Sequence, residues 1–107
     1  MKSVVKKENG VPRQFLGVDF VVLSIGNKSM VAKMLYKVTD NVPFHKHPNE
    51  QSGYVISGRY ILCFDGQRYE LATGDSYSIP ANVEHSIDII EPGEVLDVFT
   101  PIRQDYL

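Results

Sequence analysis

The chain has 107 residues, 43% of them hydrophobic and 22% charged, which is enough for one globular core and excludes disordered, collagenous and membrane-spanning classes. Eleven Lys and Arg against thirteen Asp and Glu leave a net charge of −2, too little positive charge to grip a phosphate backbone, so nucleic acid is excluded as a partner. No apolar run approaches the roughly 20 residues of a membrane span. The N-terminal MKSVVKKENG also lacks an apolar signal core, so no membrane contact and a cytoplasmic location are expected.

In chain order, residues 1–14 read as an arm that pairs with a neighbouring subunit, with Lys6 and Lys7 solvated, and residues 18–24 as a first strand. Residues 1–28 thus lead into a barrel over 29–107, the whole forming one domain. Between 29 and 38, Met30, Ala32, Met34, Tyr36 and Val38 share one parity and Lys33 and Lys37 the other, the period of two of a half-buried strand. Further strands are expected at 53–57, 60–64, 68–71, 75–79, 85–90 and 94–100. Asp65-Gly66 fits a tight hairpin turn, and Ser57-Gly58, Thr73-Gly74 and Pro92-Gly93 mark three more reversals. Many short strands without a helix or a repeat imply an all-β sandwich or barrel closed against naked edges. Small barrels of this kind often bury an outer face by pairing, so a homodimer is expected. Cys63, the only cysteine, reads as a small buried hydrophobe, while Tyr36, Tyr54 and Tyr60 either line a pocket or fill the core.

All three histidines lie in two short blocks, HKHPNEQ at 45–51 and PANVEH at 80–85. In an extended segment His45 and His47 share a face with Cα atoms about 6–7 Å apart, near enough for both imidazoles to meet one ion. Taken alone, the pair reads equally as two exposed or hydrogen-bonded histidines. Pro48 then ends the strand, Gln51 opens another that reaches Gly58, and His85 begins a strand after a turn holding Pro80 and Asn82. His45, His47, Gln51 and His85 therefore form a candidate four-ligand site. With one cysteine there is no thiolate cluster, and three neutral imidazoles plus an amide suit one divalent first-row ion: Ni, Zn, Fe, Mn or Cu. Such a site leaves the ion's charge uncompensated and favours an anionic ligand.

These blocks resemble the two motifs of the cupins. The first, G-x5-H-x-H-x(3,4)-E-x6-G, matches at His45, His47 and Gly58, with Gln51 in the Glu position and Thr39 in place of the first Gly. The second, G-x5-P-x-G-x2-H-x3-N, matches at Gly74, Pro80 and His85, with Asn82 and Ile89 replacing Gly and Asn. Asn tolerates the left-handed conformation better than most residues. Adjacent Glu50 is the alternative fourth ligand, but strand parity and the spacing to Gly58 favour Gln51 and turn Glu50 to solvent. The resemblance, over residues 39–89, implies the cupin double-stranded β-helix, a jelly-roll barrel.

The tail LDVFTPIRQDYL adds a second constellation. Asp97 shares a strand face with Val95 and Phe99, where a carboxylate is costly. It is a candidate proton-transfer group, or else a structural partner of an Arg or Tyr, or a group facing water at an edge. Arg103 either holds a substrate carboxylate bidentately at the barrel mouth or pairs with Asp105. The spacing Asp97, Phe99, Arg103 is similar to the D-x-F-x3-R tail of the KdgF-type cupins of pectin and alginate breakdown, which also place Gln in the fourth ligand position. That resemblance implies a metal-dependent enzyme acting on a small anionic sugar, opening 4,5-unsaturated monouronates to linear 5-keto sugars. In it Asp97 moves the proton, Arg103 anchors the carboxylate and Phe99 packs on the sugar. Two other readings stay open: a dioxygenase or sugar isomerase using the same ligands, and a non-enzymatic small-molecule-binding or sensor domain.

Overall fold

The computed structural model describes all 107 residues and is built almost wholly from strands. They are β1 (Val11–Phe15), β2 (Val18–Ile25), β3 (Met30–Tyr36), β4 (Asn41–His45), β5 (Glu50–Val55), β6 (Arg59–Phe64), β7 (Gln67–Leu71), β8 (Ser76–Ile79), β9 (His85–Glu91) and β10 (Gly93–Thr100). Two antiparallel sheets result, one ordered β1-β2-β3-β10-β5-β8 and the other β4-β9-β6-β7. This is the expected all-β single-domain sandwich. No helix is long and apolar enough to cross a membrane.

Alternation decides which face β3, β5 and β10 bury. In β3 the buried positions are Met30, Ala32, Met34 and Tyr36, the expected parity, although the strand stops at Tyr36 and Val38 is 61% exposed in the turn beyond it. In β5 the same alternation buries Gln51, Gly53 and Val55 and leaves Glu50, Ser52 and Tyr54 outside. Asp65 and Gly66 both have positive φ, 53° and 71°, as the hairpin between β6 and β7 requires. Asn82 takes φ 64°, so it meets the backbone demand that the motif's glycine would meet.

The N-terminal segment departs from expectation. Residues 11–14 are not a free arm reaching for a neighbour: β1 pairs with β2 of the same chain from Val11↔Val22 to Phe15↔Val18, and Lys2 bridges to Ile25. A short hairpin around Leu16 and Gly17 makes this self-pairing local, so it forms without a partner. The split at residue 28 therefore runs through a continuous sheet, since β2 in turn pairs with β3.

The two inner faces enclose a core of 17 buried hydrophobic residues. Phe20, 1% exposed, stacks on Tyr106 at 4.2 Å between ring centroids and so ties the C-terminal turn to the first sheet. Replacing it by Ala should cost about 3–5 kcal/mol and lower the melting temperature by at least about 12 °C, measured by circular dichroism. Tyr60 is a core residue whose hydroxyl donates to the Ser57 carbonyl at 2.8 Å, Tyr36 is buried, and Tyr54 is exposed. Cys63 is half-buried rather than fully enclosed.

Candidate functional site

The core is apolar along most of its length and polar at one end. There β4 ends at His45, which sits directly opposite His85 in the antiparallel register, so both imidazoles project to the same side. His47 lies beyond the strand end in the connection to β5. The Asn82 N–H donates to its carbonyl at 2.8 Å, tying the two histidine-bearing segments together. The ring centroids of His45 and His85 are 4.3 Å apart, those of His47 and His85 5.0 Å, and those of His45 and His47 5.7 Å. The potential ligand atoms of the three lie within 4.8 Å of one another.

Hydrogen bonding determines which nitrogen each ring presents. Nδ1 of His45 meets the Pro43 carbonyl, that of His47 the Asn49 carbonyl and that of His85 the Val83 carbonyl, each at 2.9 Å. A carbonyl only accepts, so every Nδ1 carries a proton, and in the neutral ring this leaves the lone pair on Nε2, the tautomer a metal needs. Burial pushes His85 down to about 4 and moves His47 below its ordinary value, the Arg103 charge adding to the latter; both rings stay neutral near pH 7.

Gln51, inward on β5, places Oε1 3.1 Å from Nε2 of His47. With Nδ1 protonated, these are two acceptors facing each other. A cation between them turns that opposition into two bonds, and ligands at right angles around an ion with bonds of about 2.1 Å stand about 3.0 Å apart. The donor set therefore fits a metal ion. Glu50 points outward and is exposed, as parity predicted.

Asp97, 1% exposed at the centre of β10, lies beside this group. Burial raises its carboxyl to about 6, against the opposing pull of hydrogen bonds from Tyr77 and Gln51 and of the Arg103 charge. The Tyr77 hydroxyl donates to Oδ1 at 2.7 Å. Burial, then the Asp97 charge, pushes the Tyr77 phenol well above its ordinary value, so it remains a donor. Of the alternatives open for Asp97, the structure gives it a tyrosine partner and no exposure to water.

Arg103 takes the partner that the sequence left as an alternative. Its Nε and terminal nitrogen bond the two carboxylate oxygens of Asp105 at 3.1 and 2.6 Å. The guanidinium is nonetheless buried, 3% exposed, stacked at 4.0 Å over Tyr106 and at 4.8 Å over Phe15. Phe99 is 1% exposed, its ring nearly perpendicular to that of His47 at 5.7 Å between centroids and its face 5.2 Å from the Arg103 guanidinium.

A cavity of about 20 Å³ remains among His45, Gln51, His85, Asp97, Arg103 and Tyr106, room for an ion or a single water. Outside it, a groove of about 510 Å³ opens between the 45–49 and 101–105 segments, and Phe15, His45 and Arg103 line both spaces. Three site residues escaped the sequence reading. Asn49 is 4% exposed and its amide donates to the Pro101 carbonyl at 2.7 Å, binding the histidine loop to the tail. Tyr106 and Tyr77 are the others; only the strand parity that places Tyr77 with Ile79 hinted at an inward side chain.

Comparison with known proteins places this geometry among relatives. The model of the Cupin domain matches residues 32–99. The pectin degradation protein KdgF of Dickeya dadantii (strain 3937) is 38% identical over 65 residues, 59% of each chain. The HTH-type transcriptional regulator PuuR of Escherichia coli (strain K12) is 26% identical over 104 residues, 92% of this chain and 56% of that protein. The chain thus spans less than two thirds of the length of these curated relatives. Among solved structures, an RmlC-like cupin from Shewanella frigidimarina NCIMB 400 superposes with a TM-score of 0.90 at 24% identity, covering 100% of this chain and 97% of the other. KdgF from Halomonas sp. gives 0.88 at 23% identity over 100% of both chains. At these identities the superpositions establish the fold.

Proposed function

This chain belongs to the cupin family, and from that premise we propose that it is a metal-dependent enzyme opening 4,5-unsaturated monouronates to linear 5-keto sugars. The observation that carries the reading is the junction of three imidazoles and the Gln51 oxygen with one buried carboxyl, Asp97. The similarity to a pectin degradation protein supports the substrate class. His45, His47, Gln51 and His85 would hold the ion, which when bound stabilises negative charge developing on a sugar oxygen.

The reaction is an isomerisation and needs one proton carrier. The cyclic substrate is an enol ether joined to a hemiacetal. A base takes the O1 proton, the C1–O5 bond breaks to leave an aldehyde, and the electron pair passes to the enolate O5–C5=C4. Protonation at C4 then gives the ketone at C5. A carboxyl near 6 is suited to take the first proton and return it, and Asp97 is assigned that role. Arg103 is assigned the substrate carboxylate, which a guanidinium holds bidentately.

The internal cavity is too small for a sugar, so the substrate enters from the groove and competes with Asp105 for Arg103. Asp105→Asn should therefore lower KM, by up to about fivefold if the released ion pair is worth about 1 kcal/mol, with kcat little changed. Steady-state kinetics check this, and a raised KM would show that Asp105 helps the site.

The decisive experiment couples elemental analysis of the purified protein to an assay following loss of ultraviolet absorbance from an unsaturated monouronate. One bound divalent metal per chain with turnover is expected; bound metal without turnover overturns the uronate reading. A second reading, a ligand-sensing domain, is favoured by the match to a transcriptional regulator across 92% of this chain. It predicts saturable sugar binding with the sugar recovered unchanged.

A further inference from the structure

Strands β10, β5 and β8 lie side by side, and their register sets Asp97, Gly53 and Tyr77 in one lateral row. Neighbouring strands are about 4.8 Å apart, so a side chain on β8 reaches one on β10 only by lying over the residue between them. That residue has no side chain. A Cβ added at Gly53 would collide with the ring and hydroxyl of Tyr77 and stand 2.6 Å from Oδ1 of Asp97. Glycine weakens a strand interior and marks close approach of another group, and here the approaching group is the phenol. Across this gap the Tyr77 hydroxyl makes its 2.7 Å bond to Asp97.

On its other side the Tyr77 ring packs against the hydrophobic core. β8 is the edge strand of its sheet, and Tyr77 also borders a cavity of about 270 Å³ with Leu62, Phe64, Tyr69 and Leu71. Core packing and the hydroxyl bond together hold the phenol over β5, and Asp97 in turn is held between that hydroxyl and the Gln51 amide.

We propose that Tyr77 is a positioning residue, passed through the gap at Gly53 to orient the Asp97 carboxylate toward the imidazole cluster. The inference rests on the reading of Asp97 as the proton-transfer group. Tyr77→Phe removes only the hydroxyl, and Tyr54→Phe makes the same change on the exposed side of β5 as a control.

Two measurements on the zinc-loaded protein test it. The first is kcat and KM on an unsaturated monouronate. Tyr77→Phe should lower kcat by about tenfold or more with KM and metal content unchanged, Gly53→Ala should act in the same direction, and Tyr54→Phe should do neither. The second is the carboxyl-carbon NMR resonance of Asp97, identified by its disappearance in Asp97→Asn. It should move in Tyr77→Phe and stay in Tyr54→Phe. An unmoved resonance overturns the inference whatever the kinetics, and so does a moved resonance with wild-type kcat. Absence of turnover in the unsubstituted protein overturns the uronate reading instead, and the resonance then decides the Tyr77–Asp97 coupling alone.

Discussion

Asp97→Ala is expected to lower kcat on an unsaturated monouronate by about 10²- to 10⁴-fold, the range for removing a positioned proton carrier, while the metal content of the purified protein stays at the wild-type level. The two halves separate because Asp97 is not among the three imidazoles and lies one hydrogen bond away from Gln51. Removing the carboxylate relieves a buried charge but leaves the Tyr77 hydroxyl and the Gln51 amide without their acceptor, so circular dichroism must show the variant folded before the kinetics are read. Asp97→Asn is the companion: it keeps the shape and an acceptor for Tyr77 but carries no titratable proton, and it should be as inactive as the alanine variant. Full activity in either would discard the proposed chemistry.

Metal binding should be the largest single contribution to stability that can be switched. A ligand that binds only the folded state, present at a hundred times its dissociation constant, adds about 2.7 kcal/mol. For a domain of this size that is a rise in melting temperature of roughly 10–20 °C over the chelated protein. The ligand atoms come from β4, the β4–β5 connection, β5 and β9, so the ion would join both sheets, and unfolding either one would release it. His85→Ala should abolish most of the shift, since His85 is one of the proposed ligands and, at 1% exposed, the most deeply buried of them. Glu50→Ala should leave the shift intact, because that side chain faces solvent. A thermal scan with and without added zinc distinguishes them; an equal shift in the His85 variant would place the ion elsewhere.

Local patterns carried much of this far. Period-two alternation located the core face of β3, assigned Gln51 inward against Glu50 outward, and set Asp97 on the same face as Val95 and Phe99. The spacing of the two histidine blocks anticipated that all three rings converge. It did so for a partly mistaken local reason, because the strand ends at His45 and His47 sits on the connection, where a carbonyl bond from its ring orients it. The parity argument failed where the chain leaves the sheet, as at Val38, and where pairing was assigned to a neighbour although a tight turn made self-pairing of β1 and β2 available.

The sequence by itself determined the all-β class, the burial face of β3, β5 and β10 and the histidines able to bind a metal, since alternation, turn chemistry and ligand type are properties of a few adjacent residues. Only the tertiary structure decided which ring nitrogen each histidine offers, that Arg103 rests on Asp105, that the Phe99 ring stands nearly perpendicular to that of His47, and that Tyr77 reaches Asp97 over Gly53. Each of these depends on which strands become neighbours and at what register. That choice is made by the whole core, through contacts between residues far apart in the chain, and leaves no trace in the spacing along any one strand.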